Sequence, residues 1–271
     1  MTVREGVLKY QPLIYVLASI RFQPWMLLPS KIPEIQDRLR ESFPVVNQIQ
    51  VGQTPFQGSA DIGGLQTAAW AFHRFDRKIG CQISPDQIVV HCVEYESFGR
   101  FSEIVRVVVD SVIQHARHLD AVSMGIRYLD IIQARENESL TDYVPKELLP
   151  YEVNLQGMKV FGGHTQSTYE TSAGLLQARF WTGKNFMTVP DDLVPIYVLT
   201  KDLSQHVAFP LTALAEGQGI LDTDSIWNAK TPVRMDGESA MGKLSELHLH
   251  ANNFFRTVCS EHAFRVWQGE A

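Results

Sequence analysis

Four strand-like segments of this chain each carry an arginine followed by an aromatic residue, at nearly even spacing. They are Ile20-Arg21-Phe22, His73-Arg74-Phe75, Ile126-Arg127-Tyr128 and Ala178-Arg179-Phe180. The clearest match joins residues 16–22 to residues 122–128, and it predicts two α+β halves, 1–120 and 121–271, within one compact unit. Chance recurrence of arginine in strands is the alternative interpretation.

The first half contains a pattern typical of a three-stranded antiparallel meander with tight turns at residues 76–77 and 85–86. If both turns have two residues, Phe72 lies opposite Cys81, and Cys81 lies opposite Val90. One face of the meander is then apolar and the other more polar, as expected for a sheet covered on one side. The more polar face collects Ala69, Ala71, His73, Gly80, Gln82, Val89 and His91.

Apolar residues recur at helical spacing over residues 98–119 and 238–267, which predicts two long amphipathic helices. A shorter helix is expected to begin at the N-cap Ser30 and to end before Pro44. Residues 204–232 look irregular, with a helical fragment over 225–229. Strands are predicted over residues 13–23, 45–51, 120–134 and 193–200, with a hairpin over 159–182. Together these elements predict an α+β fold with antiparallel sheets, long helices packed on one face and two pseudo-duplicated halves.

Composition limits the classes of function. Hydrophobic residues make up 45% of the chain and charged residues 20%, as in ordinary folded domains. The net charge of -6 argues against a broad nucleic-acid surface, which is usually basic. No apolar stretch suits a membrane span, and the first ten residues lack the pattern of a signal peptide, so a cytoplasmic protein is expected. Cys81, Cys92 and Cys259 lack metal-ligand spacing and are expected to be reduced thiols.

The common catalytic and phosphate-binding motifs are absent from the sequence, so we predict no catalytic residue, no cofactor and no metal. The most conspicuous histidines are His248 and His250. Residues two apart on a helix point in different directions and cannot share one metal ion. His248 lies on the apolar stripe of its helix, where a hydrogen-bonded core histidine is expected.

The best polar constellation is a groove between the two halves. His73 and His91 share one face of the meander and flank Gly80, whose missing side chain leaves a gap between them. A sheet face partly covered by a loop is the favoured alternative interpretation of these two histidines. If the repeated arginines converge there, the groove suits an anionic ligand or an acidic peptide. The predicted groove residues are His73, His91, Arg21, Arg74, Arg127 and Arg179.

Structural ion pairs are the favoured alternative for these arginines. A buried Arg127 needs a carboxylate partner, because an unpaired buried charge is strongly destabilising. The sequence does not choose between its candidate partners, which are Glu94, Glu96, Asp130 and Glu170.

An ordered set of short segments resembles a known family. The set runs from Gln11-Pro12-Leu13-Ile14 through Phe43-Pro44 and Ile126-Arg127-Tyr128-Leu129-Asp130-Ile131 to Leu247-His248, Phe255 and Trp267. It is similar to a sporadically distributed family of uncharacterised bacterial and archaeal proteins of about this length. Members typically have Asn where this chain has Asp130. The resemblance transfers no catalytic residue, and it implies an accessory role on mobile elements, such as defence, toxin–antitoxin or immunity function.

Three functions follow as expectations. The first is a non-catalytic interaction protein with a protein partner or a second copy of itself, which it contacts through the helical residues 245–267 and the loop 52–64. The second is a small-ligand sensor that uses the groove between the halves. The third, and least favoured, is a hydrolase or nuclease of unrecognised type.

Overall fold

The structure is a computed structural model that describes residues 6–52, 66–151, 156–158, 160–184, 186–194, 196 and 211–270. Within these residues, nine strands form one antiparallel sheet in the order β2-β3-β4-β5-β1-β6-β9-β8-β7. The strands are β1 (Leu13–Phe22), β2 (Val45–Gly52), β3 (Gln66–His73), β4 (Ile79–Ser84), β5 (Gln87–Cys92), β6 (Leu119–Gln133), β7 (Gly162–Thr171), β8 (Gly174–Gly183) and β9 (Gln218–Met235).

Helices cover one face of this sheet. They are α1 (Leu28–Leu39), α2 (Phe98–Ala116), α3 (Gly237–Val258) and α4 (Glu261–Gln268), and two short 3-10 turns lie at Leu140–Asp142 and Lys146–Leu148. Ile126 of β6 shares one apolar core with Ile35, Val108 and Leu247 of the first three helices. Phe264 of α4 packs with Phe180 of β8, which faces the same side. The predicted α+β fold with helices on one face is confirmed.

The meander has the predicted register. Phe72 pairs with Cys81, and Cys81 pairs with Val90. The expected one-sided covering was wrong, because the more polar face is buried as well, including His73 and His91. On this second face Tyr15 and Leu17 of β1 join Val89 of β5 in a separate apolar cluster.

Three local predictions were wrong. Residues 218–235 form the long strand β9 instead of an irregular segment, because this segment pairs with β6 on one side and its residues 219–226 pair with β8 on the other. The predicted helix 238–267 breaks at Cys259, whose backbone is extended, and Ser260 caps the separate helix α4. Helix α1 begins at Leu28, so Ser30 lies inside it. Of the strand predicted over 193–200, residue 195 and residues 197–200 lie outside the described residues, and Leu193 lies in a turn.

Both predicted halves share an order of elements. β1 pairs with β5, which precedes α2, and β6 pairs with β9, which precedes α3. β1 and β6 lie side by side, so the sheet continues across the predicted boundary at residue 120. Duplication and the two-half division stay predictions, because a shared order of elements does not by itself show a common origin. No described helix combines the length and the apolar composition that crossing a membrane requires.

Candidate ligand cavity

A cavity of about 210 Å³ lies between the sheet and the helices. Its floor is the helix-facing side of β6 and β9, and its walls are the first turn of α2 and the second half of α3. Residues 6–13 close its outer side. The fold brings these five segments together from both predicted halves of the chain.

Asp130 of β6 lies on the cavity floor and is 5% exposed. Within the part of the chain that the structure describes, its carboxyl group makes no hydrogen bond and no ion pair. Burial, together with the negative charge of Asp222, raises the pKa of Asp130 to about 8. An isolated Asp130 is therefore mostly protonated and uncharged at neutral pH.

Thr223 of β9 adds a second polar group without a partner. It pairs across the strands with Tyr128, it is 1% exposed, and it lines the same cavity. Its hydroxyl oxygen is buried and has no hydrogen-bond partner among the described residues. Buried polar groups are nearly always hydrogen-bonded, so two such groups on one cavity floor indicate a place where something else binds.

Tyr128 and His248 form the inner corner of the cavity. The Tyr128 hydroxyl and the Nδ1 atom of His248 are hydrogen-bonded at 2.7 Å, and the ring of Phe98 stacks on His248 with centroids 3.8 Å apart. Burial, with a smaller effect of the Arg256 charge, lowers the pKa of His248 to about 4. The predicted hydrogen-bonded histidine is confirmed, but it lies on a cavity wall and stays neutral at pH 7.

Aromatic rings line much of the remaining wall. Tyr95 stands at nearly a right angle to Tyr128, with ring centroids 6.1 Å apart, and Phe255 lies on the α3 side. Burial raises the pKa of Tyr95 to about 12 and raises that of Tyr128 well above its ordinary value. Both phenols are therefore uncharged over the physiological range.

The residues that close the outer side are held by polar contacts. Arg256 donates to the carbonyl oxygen of Gly6 at 2.7 Å and to Oδ1 of Asn252 at 3.0 Å. The Gln11 side chain donates to the carbonyl oxygen of Glu96 at 3.3 Å. The cation of this cavity thus lies at its outer end and is engaged by oxygen atoms of the chain.

The opposite face of the sheet carries an ion-pair network around the buried Asp222. Arg127 donates two hydrogen bonds of 2.8 Å to Asp222 and two, of 2.5 and 3.2 Å, to Asp192. Arg179 also contacts Asp222 at 2.8 Å. Burial alone would lower the pKa of Arg127, but the hydrogen bonds to Asp222 and Asp192 raise it. The structure therefore supports the structural interpretation of Arg127 and Arg179.

None of the four predicted partners of Arg127 contributes to this network. Asp130, the nearest of them in sequence, faces the helices, because residues 127 and 130 of one strand point to opposite faces. The strand alternation was available in the sequence and excludes Asp130 as a partner. The partners found come from other segments: Asp192 lies in a turn at residues 191–193, and Asp222 lies in strand β9, which was not predicted.

His73 and His91 lie together as predicted, with ring centroids 5.5 Å apart. A Cβ atom on Gly80 would lie 2.4 Å from the ring of His73 and 2.7 Å from that of His91, so the predicted gap is filled by the two rings. Burial lowers the pKa of His73 to about 4 and that of His91 to about 3, the latter with a smaller effect of His73. Both rings are neutral at pH 7.

The other predicted groove residues are spread over the sheet. Leu17 pairs with both His91 and Arg127, so these two residues lie on one face, two strands apart. Arg21 and Arg74 are exposed. The structure thus brings the two histidines together and joins two arginines at Asp222, and it leaves the other two arginines in solvent.

The predicted contact surfaces are described in part. Residues 53–64 of the predicted loop lie outside the described residues. On residues 245–267 the exposed side chains are mainly polar, such as Glu246 and Asn253, and Leu249 is a single exposed apolar residue. A protein partner or a second copy stays a prediction.

Metal ligands and comparisons add no further assignment. The described residues contain no group of three or more His, Cys, Asp or Glu side chains placed to hold a metal ion. Cys81, Cys92 and Cys259 are buried free thiols. No family model matches the chain, and neither a curated protein nor a solved structure matches it.

Proposed function

We propose that this protein binds a small molecule in the cavity between the sheet and helices α2 and α3. The observation that carries the proposal is a pair of polar groups on the cavity floor. The Thr223 hydroxyl is buried without a hydrogen-bond partner among the described residues, and the Asp130 carboxyl borders the cavity with no described cation beside it. Leaving a buried group such as the Thr223 hydroxyl unsatisfied costs about 1–3 kcal/mol. A ligand that supplies the missing partners would recover that cost.

The size and character of the cavity fit this role. A cavity of about 150 Å³ holds a benzene molecule, so the volume of 210 Å³ suits a somewhat larger molecule. Aromatic and apolar side chains around a few convergent polar groups are typical of small-molecule sites. The proposal keeps the expected function of a ligand sensor but moves its site from the predicted groove to the helix-facing side of the sheet.

Thermal unfolding with a compound panel tests the proposal. The panel contains nucleobases, amino acids, aryl amines, aromatic acids and sugar phosphates. A ligand that binds only the folded state at 100 times its Kd stabilises it by about 2.7 kcal/mol. We expect at least one compound to raise the Tm of the wild-type protein, and a panel with no effect would contradict the proposal.

A matched pair of variants places the bound compound. Ala251→Leu fills the cavity from α3, whereas Leu249→Phe adds bulk at an exposed position of the same helix. The Tm shift should disappear in the first variant and persist in the second. The NMR signals of the His248 ring, assigned with His248→Gln, should also move on binding to the wild-type protein. An equal shift in both variants, or unmoved His248 signals, would place the ligand elsewhere.

A further inference from the structure

We infer that the ligand is a primary organic ammonium ion with an aromatic or apolar body, and that its ammonium group lies against Asp130 and Thr223. This inference rests on the proposed function, since it names the chemical class of the molecule that the cavity holds. Its evidence is a difference between the two faces of the sheet. One face provides arginines for its buried aspartate, and the other provides no described cation.

Asp130 lacks a cation that the fold supplies elsewhere. Buried carboxylates in proteins are paired with cations, and Asp222 on the neighbouring strand contacts both Arg127 and Arg179. No described cation contacts Asp130, and the cavity's own Arg256 is held at the outer end by Asn252 and Gly6. A ligand that carries a cation would give Asp130 the partner that no described residue provides.

The walls near Asp130 suit a cation better than an anion. The rings of Tyr95, Phe98, Tyr128 and Phe255 line the cavity, and the faces of aromatic rings attract ammonium groups. An anionic ligand would place its charge against the negative faces of these rings. The aromatic lining also provides contact surface for an apolar body.

The number of acceptors favours a primary ammonium over a quaternary one. A primary ammonium has three N–H donors and no acceptor. The Asp130 carboxylate and the Thr223 hydroxyl oxygen both accept hydrogen bonds, and the Thr223 oxygen has no other described partner. A quaternary ammonium would leave Thr223 unsatisfied.

An ammonium group that binds beside Asp130 replaces the proton of its carboxyl group, so the net charge of the site does not change. In the free protein Asp130 holds a proton at neutral pH, and the bound ammonium stabilises the ionised form, so about one proton leaves for each amine bound. Of the other ionisable groups in the cavity, Tyr95, Tyr128 and His248 are neutral near pH 7. Glu96 and Arg256 lie toward its outer side, and Asp222 lies on the opposite face of the sheet.

Calorimetry with a matched set of probes tests the inference. The probes are 2-phenylethylamine, its trimethylammonium analogue, the neutral isostere 2-phenylethanol and the anion 3-phenylpropionate. We expect the amine to bind about 10- to 100-fold more tightly than the alcohol, because hydrogen bonds to charged groups are the stronger ones. Titrations at pH 7 in two buffers of different ionisation enthalpy should show release of about one proton.

Two variants assign the effect to Asp130. Asp130→Asn should remove both the preference for the amine and the proton release, while Glu96→Gln, at the outer side of the same cavity, should keep both. Equal binding of alcohol and amine, or amine binding without proton release, would overturn the ammonium assignment and leave the ligand cavity standing. Tighter binding of the trimethylammonium analogue would overturn the role of Thr223. If no probe and no panel compound binds, the proposed function itself fails.

Discussion

Asp130 and Asp222 are two buried aspartates on neighbouring strands, and they differ in what the chain provides for them. Asp222 faces away from the helices and contacts Arg127 and Arg179. Asp130 faces the helices, borders a cavity and makes no described contact with a cation. A buried carboxyl group with its own arginines is a part of the fold, whereas one that faces open space without a partner is available to a ligand.

The two buried histidines refine this comparison. His73 and His91 each have a buried Nδ1 atom without a described hydrogen-bond partner, as Thr223 has an unpartnered oxygen. However, the space over Gly80 is occupied by the histidine rings themselves. An unsatisfied polar group therefore suggests a binding site only when a cavity lies beside it.

Replacing Arg127, on the face of the sheet where Asp222 is paired with arginines, should have the largest effect on stability. Arg127→Met leaves Asp222 with a single arginine and Asp192 without its hydrogen-bond donor, and breaking a buried pair costs about 3–5 kcal/mol. We expect the free energy of unfolding, measured with urea, to fall by an amount near this range. Arg21→Met, at an exposed site of the same Arg-aromatic repeat, is the control and should change it by less than about 0.5 kcal/mol. Equal losses in the two variants would remove the distinction between a structural and a solvent-exposed arginine.

Replacing Asp130, on the face without a described cation, should instead raise the free energy of unfolding at neutral pH. The folded state holds the Asp130 proton up to a pH of about 8, whereas an unfolded aspartate releases it near its ordinary pKa of 3.8. The stability of the folded wild-type protein therefore falls as the pH rises between these values, by about 1.4 kcal/mol per pH unit. Asp130→Asn carries no such proton and should be more stable by about 2–4 kcal/mol at pH 7.

Urea unfolding of Asp130→Asn and wild type between pH 4 and pH 8 checks this. The two should converge at the acid end and diverge steadily toward pH 8. Asp222→Asn is the matched variant on the other face, and it should lose stability at neutral pH because it removes the partner of two arginines. A pH-independent difference between Asp130→Asn and wild type would show that Asp130 is ionised like any surface aspartate.

A smaller effect on stability should distinguish the space over Gly80, which the histidine rings fill, from the open cavity beside Asp130. Gly80→Ala puts a methyl group into the histidine rings, and overpacking of this kind costs about 1–3 kcal/mol. Gly242→Ala, in helix α3 with no atom within 4 Å of its new methyl group, should instead stabilise the protein slightly, since alanine favours helices. If thermal unfolding shows no loss for Gly80→Ala, the rings are free to move apart and the space over Gly80 is a second open site.

The sequence predicted the elements that depend on local patterns. The register Phe72–Cys81–Val90 followed from strand alternation and a two-residue turn, and α2 followed from helical spacing. Strand β9 was missed because the four consecutive polar residues 222–225 hide its alternation, and the arginines that neutralise Asp222 belong to other strands.

The cavity could not be predicted from local patterns. Asp130 and His248 come from elements more than a hundred residues apart, and the closing residues 6–13 lie more than a hundred residues before Asp130. The sequence did show that residues 127 and 130 of one strand lie on opposite faces of the sheet. Asp130 therefore points away from Arg127 and cannot pair with it. The alternation rule that predicted the register of the meander therefore also excludes an ion pair between Arg127 and Asp130.

The most direct test of the difference between Asp130 and Asp222 is the titration of the Asp130 carboxyl group itself. ¹³C NMR of protein labelled at the aspartate carboxyl carbons follows it, and Asp130→Asn assigns the signal by its disappearance. Our account predicts a midpoint near pH 8 without ligand, with the carboxyl group ionised at neutral pH once 2-phenylethylamine is bound. A midpoint near 4 in the free protein would contradict it, because Asp130 would then already have the partner that we assign to the ligand.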